Sequence, residues 1–172
     1  FLDLAICFYY AYHGEEIGDG TILIYNSHME MWETCTAELF GLARRNTPRL
    51  FPWACRPLAE VMEALGQQEE MEGMEGMDLP LKVLSNDKYT YGAICMLYPG
   101  VMDGLAAEAG CSLYILPSSV HELILFPDSG GEPAEGLKDM VREVNRTQVA
   151  PEEVLSDSVY YYDIRKKMVS TK

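Results

Sequence analysis

The residues best suited to chemistry lie together in one short segment, SSVHE. Ser118, Ser119, His121 and Glu122 fall within five positions, and they supply the hydroxyl, imidazole and carboxylate of a nucleophilic hydrolase. Adjacent strand residues point to opposite faces, however, and catalytic triads are normally assembled from distant segments. The chain also lacks a GxSxG motif. Two hypotheses therefore stand for this segment: a hydrolase site using Ser118 or Ser119 with His121 and a carboxylate, and a hairpin turn with serine caps.

A second group of polar residues is a candidate for ligand binding. Asn46 and Arg49 belong to the segment NTPR, which precedes the apolar LFPW. Asn46 with Pro48 is expected to end a helix, which leaves Arg49 without a structural explanation. In so acidic a chain we expect Arg49 to pair with an internal carboxylate such as Asp157; binding of an anionic ligand is the alternative.

The sequence predicts neither a metal site nor a cofactor. The histidines are far apart and match no HExxH or Cys/His spacing; they are His13, His28 and His121. The segment YPGVMDG has one glycine at the end of an apolar run, with no second glycine at P-loop spacing and no lysine. Nucleotide binding is therefore unsupported.

Charge and cysteine content limit the partners and the compartment. Thirteen Lys and Arg against 27 Asp and Glu give a net charge of -14, which disfavours nucleic acid and anionic membranes as partners. The apolar opening, FLDLAICFYYAYH, is interrupted by Asp3 and is too short to span a membrane. An odd number of cysteines without a CxxC pair predicts reduced thiols and a cytoplasmic protein; they are Cys7, Cys35, Cys55, Cys95 and Cys111.

The strands and helices that must position these residues can be predicted from the sequence, in which short apolar runs alternate with segments of helical periodicity. We predict strands at Phe1–His13, Thr21–Tyr25, LKVLSN, Ala93–Tyr98, CSLYILP, HELILFP and the tail SVYYYDIRKKMV, which is either one strand or two. Helices are predicted at NSHMEMW, TAELFGLARRN, Pro57 to Gly66, VMDGLAAEAG and AEGLKDMVREVN. The pattern indicates an α+β fold with a mostly antiparallel sheet.

The order of these elements indicates a repeated unit. Three times a predicted hairpin leads through a small turn into a helix, so we expect ββα-like units whose helices pack mainly on one face of the sheet. Residues 67–78, QQEEMEGMEGMD, are rich in Glu, Met and Gly, and this acidic composition predicts a flexible loop. We expect residues 1–172 to form a single α+β domain, the C-terminal part of a longer protein.

Several phrases together resemble an uncharacterised bacterial family found mainly in gut Firmicutes, domain-of-unknown-function family 5688. The phrases are FLDLA, NTPRLFP, LYPGV, LYILPSSVHE, VREVN and APEEVLSDSVYYYD, and they cover essentially the whole chain. Members of the family usually carry a further N-terminal region before the FLDLA phrase. The resemblance implies no catalytic or binding residues.

We therefore expect a protein-interaction or regulatory module that acts through its surface or through its own N-terminal region. The alternative is the hydrolase described above. The two hypotheses differ in a property that geometry can test, which is whether His121 contacts a serine hydroxyl beside a cleft.

Overall fold

The computed structural model describes residues 1–14, 18–64, 81–128, 130 and 134–172. The chain divides into two compact units, one formed by Phe1 and Asp3–Leu50 and the other by Leu2 and Phe51–Lys172. The single domain over residues 1–172 stays a prediction. The acidic segment 67–78 lies outside the described residues.

The first unit is a β-hairpin followed by two helices. Strand β1 (Tyr9–Gly14) pairs antiparallel with β2 (Gly18–Leu23), and helices α1 (Asn26–Met31) and α2 (Thr36–Leu50) follow. The predicted hairpin is confirmed, although β1 begins at Tyr9 instead of near Phe1. No described side chain in residues 1–50 is buried, so the described part of this unit has no core of its own.

The prediction that Asn46, Thr47 and Pro48 end a helix is wrong. Helix α2 continues through Pro48 to Leu50. Pro48 lies in the last turn and supplies no N–H to the carbonyl of Arg44 four residues earlier, so it removes one backbone hydrogen bond and leaves the preceding turns of the helix intact. Helix α2 therefore ends at Leu50, four residues beyond Asn46, where the sequence pattern predicts its end.

The second unit is built on a six-stranded sheet. The strand order is β3-β4-β6-β5-β7-β8, and each neighbouring pair runs antiparallel. Its strands are β3 (Trp53–Pro57), β4 (Lys82–Asn86), β5 (Leu113–Pro117), β6 (Leu123–Pro127), β7 (Tyr160–Asp163) and β8 (Met168–Thr171). Its α-helices are α3 (Leu58–Ala64), α4 (Val101–Ala109) and α5 (Ala134–Thr147).

The predicted α+β class is confirmed, with helices on both sides of the sheet. On one face, the Tyr162 hydroxyl donates to Asp103 of α4. On the other face, Leu137 and Val141 of α5 pack in a core cluster with Tyr114 of β5. The sequence pattern placed the helices mainly on one face. The difference follows from β5, which is buried along its whole length, because a strand buried on both sides needs cover on both sides.

The predicted strand Ala93–Tyr98 is wrong. Residues Gly92–Leu97 form a 3₁₀ helix that buries Ala93, Cys95 and Met96. A short apolar run fits a buried helix as well as a buried strand, so periodicity alone cannot separate them. The middle one of the three predicted ββα units therefore lacks its second strand, and β4 pairs instead with β3 and β6.

Near Pro57 the structure also differs from the prediction. Pro57 is the last residue of β3, a strand that the sequence pattern did not indicate, and α3 begins at Leu58. In contrast, the β5–β6 hairpin, helix α5 and the doubled strand of the tail are confirmed.

Candidate functional site

The segment SSVHE forms the connection between β5 and β6, and its serines bond within that connection. The Ser118 hydroxyl donates to Glu122 Oε1 at 3.3 Å. The Ser119 hydroxyl accepts from the backbone N–H of His121 at 3.0 Å. These are the bonds expected of serines that stabilise a turn.

The imidazole of His121 bonds with residues from two other segments. Its Nδ1 accepts the backbone N–H of Tyr91 at 3.1 Å, and its Nε2 lies 3.5 Å from Glu153 Oε1. Because Nδ1 acts as an acceptor, the neutral ring carries its proton on Nε2, which faces the carboxylate. The Tyr91 ring also stacks on the imidazole, with centroids 5.5 Å apart and an angle of 24° between the planes. We call Tyr91, His121 and Glu153 the imidazole cluster.

The loop that carries Tyr91 is held by the buried side chain of Asn86. Asn86 Oδ1 accepts the N–H groups of Lys88 at 3.0 Å and Thr90 at 3.2 Å. Its Nδ2 donates to the Thr90 carbonyl at 2.7 Å. One side chain thus replaces the regular hydrogen bonds that the backbone loses after β4.

This loop holds two tyrosines in the left-handed backbone region. Tyr89 has φ 51° and Tyr91 has φ 50°, a conformation that costs a non-glycine residue free energy. The three bonds from Asn86 offset this cost. Strain of this kind persists where the surrounding structure determines the conformation, and it occurs often at functional sites.

The other two segments of the cluster are fixed by similar contacts. Ser85 Oγ donates to the His121 carbonyl at 2.7 Å, and the Val120 N–H donates to the Glu153 carbonyl at 2.8 Å. Gly92 lies against Ser85 and His121 so closely that a Cβ would overlap with them. The imidazole cluster is therefore held in place by contacts within the chain.

The cluster lies at the surface. The exposed fractions are 40% for Tyr91, 31% for the His121 side chain and 47% for the Glu153 side chain. The Tyr91 ring and the Glu153 carboxylate both contact His121, and an aromatic face and a carboxylate are the groups that bind a flat cation. Within the described part of the chain, neither imidazole nitrogen of His121 contacts a hydroxyl group.

The three ligand-binding candidates lie in different units. Asn46 and Arg49 are exposed residues of α2 in the first unit. Asp157 lies in the second unit and accepts from Asn145 Nδ2 at 2.8 Å. Asn145 also donates to the Ser156 carbonyl at 3.0 Å, so Asp157 helps to hold the segment before β7 against α5. The pairing of Arg49 with Asp157 stays a prediction.

Sequence reasoning missed Tyr91 and Asn86, and it did not connect Glu153 with His121. Tyr91 and His121 are 30 positions apart, and nothing local connects Glu153 to either. A signal did exist for Asn86, because an asparagine before Asp-Lys is typical of a side chain that bonds to its own turn.

Among the described residues, no group of three or more His, Cys, Asp or Glu side chains could hold a metal ion. In the same part of the chain, none of the helices has the length and apolar character needed to cross a membrane.

The chain is an α+β protein with a six-stranded antiparallel sheet, and Tyr91, His121 and Glu153 form a cluster of aromatic, imidazole and carboxylate groups at its surface. The chain belongs to the family of unknown function DUF5688, whose family model matches residues 1–164. This confirms the resemblance inferred from the sequence. No curated protein and no solved structure matches the chain significantly.

Proposed function

We propose that the chain is a protein-interaction module whose imidazole cluster binds an arginine in a basic segment of a partner protein. One observation carries the proposal: the exposed Tyr91 ring is stacked on His121 beside Glu153, on a loop held by a buried asparagine. The guanidinium of the partner lies over the Tyr91 ring and pairs with the Glu153 carboxylate. Aromatic residues on rigid supports are typical of the residues that dominate binding free energy.

A neighbouring contact supports this choice of ligand. Arg56 already lies over the Tyr89 ring, with its guanidinium carbon 6.0 Å from the centroid. The loop thus packs one arginine on one of its two strained tyrosines. An arginine from outside would use the other tyrosine in the same way.

The overall charge supports a basic partner. The net charge of -14 attracts a cationic segment and increases its rate of encounter. All five cysteines are free, which is typical of a reducing compartment and supports a cytoplasmic location as part of the proposal.

The hydrolase remains the alternative and receives less support from the geometry. Both serine hydroxyls bond within the turn, to Glu122 and to the backbone of His121. A serine nucleophile would need the Nε2 atom of His121 as its base, and this atom faces Glu153.

The test uses a short acetylated and amidated peptide with one central arginine, together with the same peptide carrying the neutral isostere citrulline. Titration monitored by amide NMR is expected to shift the signals of Tyr91, His121 and Glu153 with the arginine peptide only. Tyr91→Ala and Glu153→Gln should each weaken binding about tenfold, which corresponds to about 1.4 kcal/mol.

Tyr10→Ala is the matched control, because Tyr10 is an exposed tyrosine of the first unit. The Tyr10→Ala variant should bind the arginine peptide with the same affinity as the unchanged chain. The proposal would be overturned if the chain bound the citrulline peptide as tightly as the arginine peptide, or if Tyr10→Ala weakened binding as much as Tyr91→Ala does.

A further inference from the structure

A cleft lies between α4 and the interior strands of the sheet, on the face opposite to α5. Its volume is about 270 Å³. The lining residues come from β4, β5, β6 and α4, and they are Lys82, Leu105, Ala109, Leu113, Leu125 and Pro127. None of them belongs to the imidazole cluster, so the inference is independent of the proposed function.

The walls of the cleft are aliphatic apart from one cation. Leu105, Leu113 and Leu125 are buried core residues and present branched apolar side chains. Lys82 is the charged member of the lining. An apolar cleft with one polar group fixes the orientation of its ligand, because the polar group accepts only one end of it.

Lys82 already binds a carboxylate that comes from outside the lining. Its Nζ atom lies 2.6 Å from Glu108 Oε1, and the Glu108 side chain is 63% exposed. This hydrogen bond raises the pKa of Lys82, so the ammonium group stays charged at neutral pH. Exposed ion pairs contribute little free energy, so a second carboxylate can replace Glu108 at small cost.

We propose that this cleft binds a medium-chain aliphatic carboxylate. The chain lies against Leu105, Leu113 and Leu125, and the carboxylate takes the place of Glu108 on Lys82. The cleft of about 270 Å³ is slightly smaller than ordinary ligand pockets, which limits its ligand to a short chain of roughly eight carbons. An alkyl amine is disfavoured, because Lys82 repels its ammonium group and already holds the carboxylate of Glu108.

The experiment measures the binding of hexanoate, octanoate and decanoate by calorimetry and amide NMR, below their micelle concentrations. Affinity is expected to rise about fourfold per added methylene while the chain is still entering the cleft, and then to level off near octanoate. The amide signals of Lys82, Leu105 and Leu125 should shift. Octylamine serves as the reversed-charge probe and should not bind.

Two variants separate the charge from the shape of the cleft. Lys82→Met keeps an unbranched side chain without the charge and should weaken octanoate about threefold, the size expected of an exposed ion pair. Glu108→Gln removes the competing carboxylate and should strengthen octanoate severalfold, an effect that a damaged fold would not produce. Neither variant should alter binding of the arginine peptide at the imidazole cluster.

Three results would overturn the proposal: octylamine binding as well as octanoate, unchanged octanoate affinity in Lys82→Met, or signal shifts confined to other parts of the surface. If Lys82→Met proves too unstable to study, the Glu108→Gln result decides. A weaker or unchanged affinity there contradicts the competition between the two carboxylates.

Discussion

Gly92 lies where the 3₁₀ helix meets the end of β4, in a space that admits no side chain. A Cβ at this position would overlap with Ser85 Oγ and the His121 carbonyl, and would lie 2.8 Å from the backbone N atom of Asn86. We expect Gly92→Ala to reduce the free energy of unfolding by about 2–3 kcal/mol, measured by urea denaturation, because backbone atoms cannot move aside cheaply.

Gly104 provides the matched control for this substitution. It lies within α4, and a Cβ there would meet no atom within 4 Å. Gly104→Ala should increase stability by about 0.5–1 kcal/mol, since alanine is the better helix former. Similar effects of the two substitutions would show that Gly92 is not closely packed.

Asn86 is expected to be the most important polar residue of the loop that carries Tyr91. Asn86→Ala removes three hydrogen bonds to the backbone of Lys88 and Thr90, and Asn86 itself is buried. The free energy of unfolding should fall by about 2–3 kcal/mol. Asn46→Ala, on the exposed surface of α2, should change it by less than about 0.5 kcal/mol. Chemical denaturation measures both variants, and an equal loss of unfolding free energy in Asn86→Ala and Asn46→Ala would contradict the special role of Asn86.

Tyr162 makes stability depend on pH in the alkaline range. Burial, followed by the hydrogen bond with Asp103, raises the pKa of Tyr162 from 10.0 to about 12. The folded chain therefore keeps a proton that the unfolded chain releases, so stability is lost as pH rises from about 10 to 12. Urea midpoints measured across this range should fall less steeply for Tyr162→Phe. Parallel pH profiles for the two proteins would be inconsistent with the raised pKa.

At the level of elements, the two units should differ in local stability. No described side chain of residues 1–50 is buried, whereas β5 is buried throughout. Amide hydrogen exchange followed by mass spectrometry should therefore be faster in β1 and β2 than in β5 and β6. Equal protection of the two hairpins would mean that β1 and β2 gain stability from contacts other than side-chain burial.

The sequence predicts those elements best whose signal is local and long. Helix α5 has one apolar face over 14 residues, and β5 and β6 are apolar runs separated by a turn. The run Ala93–Tyr98 was misassigned because its length suits either a strand or a short helix. Pro48 wrongly predicts the end of α2, because a proline near the end of a helix does not always stop it.

The candidate site was predictable only in its local part. His121 and its neighbours lie together in the sequence, but their functional setting depends on Tyr91 and Glu153, which the fold brings from other segments. The strand order of the sheet, which puts β4 beside β6, brings the segments of Tyr91 and His121 together. A backbone hydrogen bond from Val120 to Glu153 adds the third segment. No pattern within a single segment contains that information.

At the level of the whole molecule, acidic charge opposes compactness. The first 43 residues contain seven Asp and Glu and no Lys or Arg, and the net charge of the chain is -14. Raising the salt from about 20 to about 300 mM screens this repulsion. The melting temperature should rise by about 2–4 °C, which corresponds to about 1 kcal/mol for a chain of this size. Sodium and potassium chloride should act alike. A decrease with salt would show that attractive ion pairs outweigh the repulsion.

The strand order places β3 and β8 at the two edges of the described sheet. An edge strand exposes unpaired backbone groups on which another chain can extend the sheet. Here β3 ends in Pro57, which has no N–H to donate, while Lys166, Lys167 and Lys172 flank β8. Proline and lysine at these positions discourage edge-to-edge pairing. At high concentration the second unit should therefore resist aggregation by sheet extension, independently of what its surface sites bind.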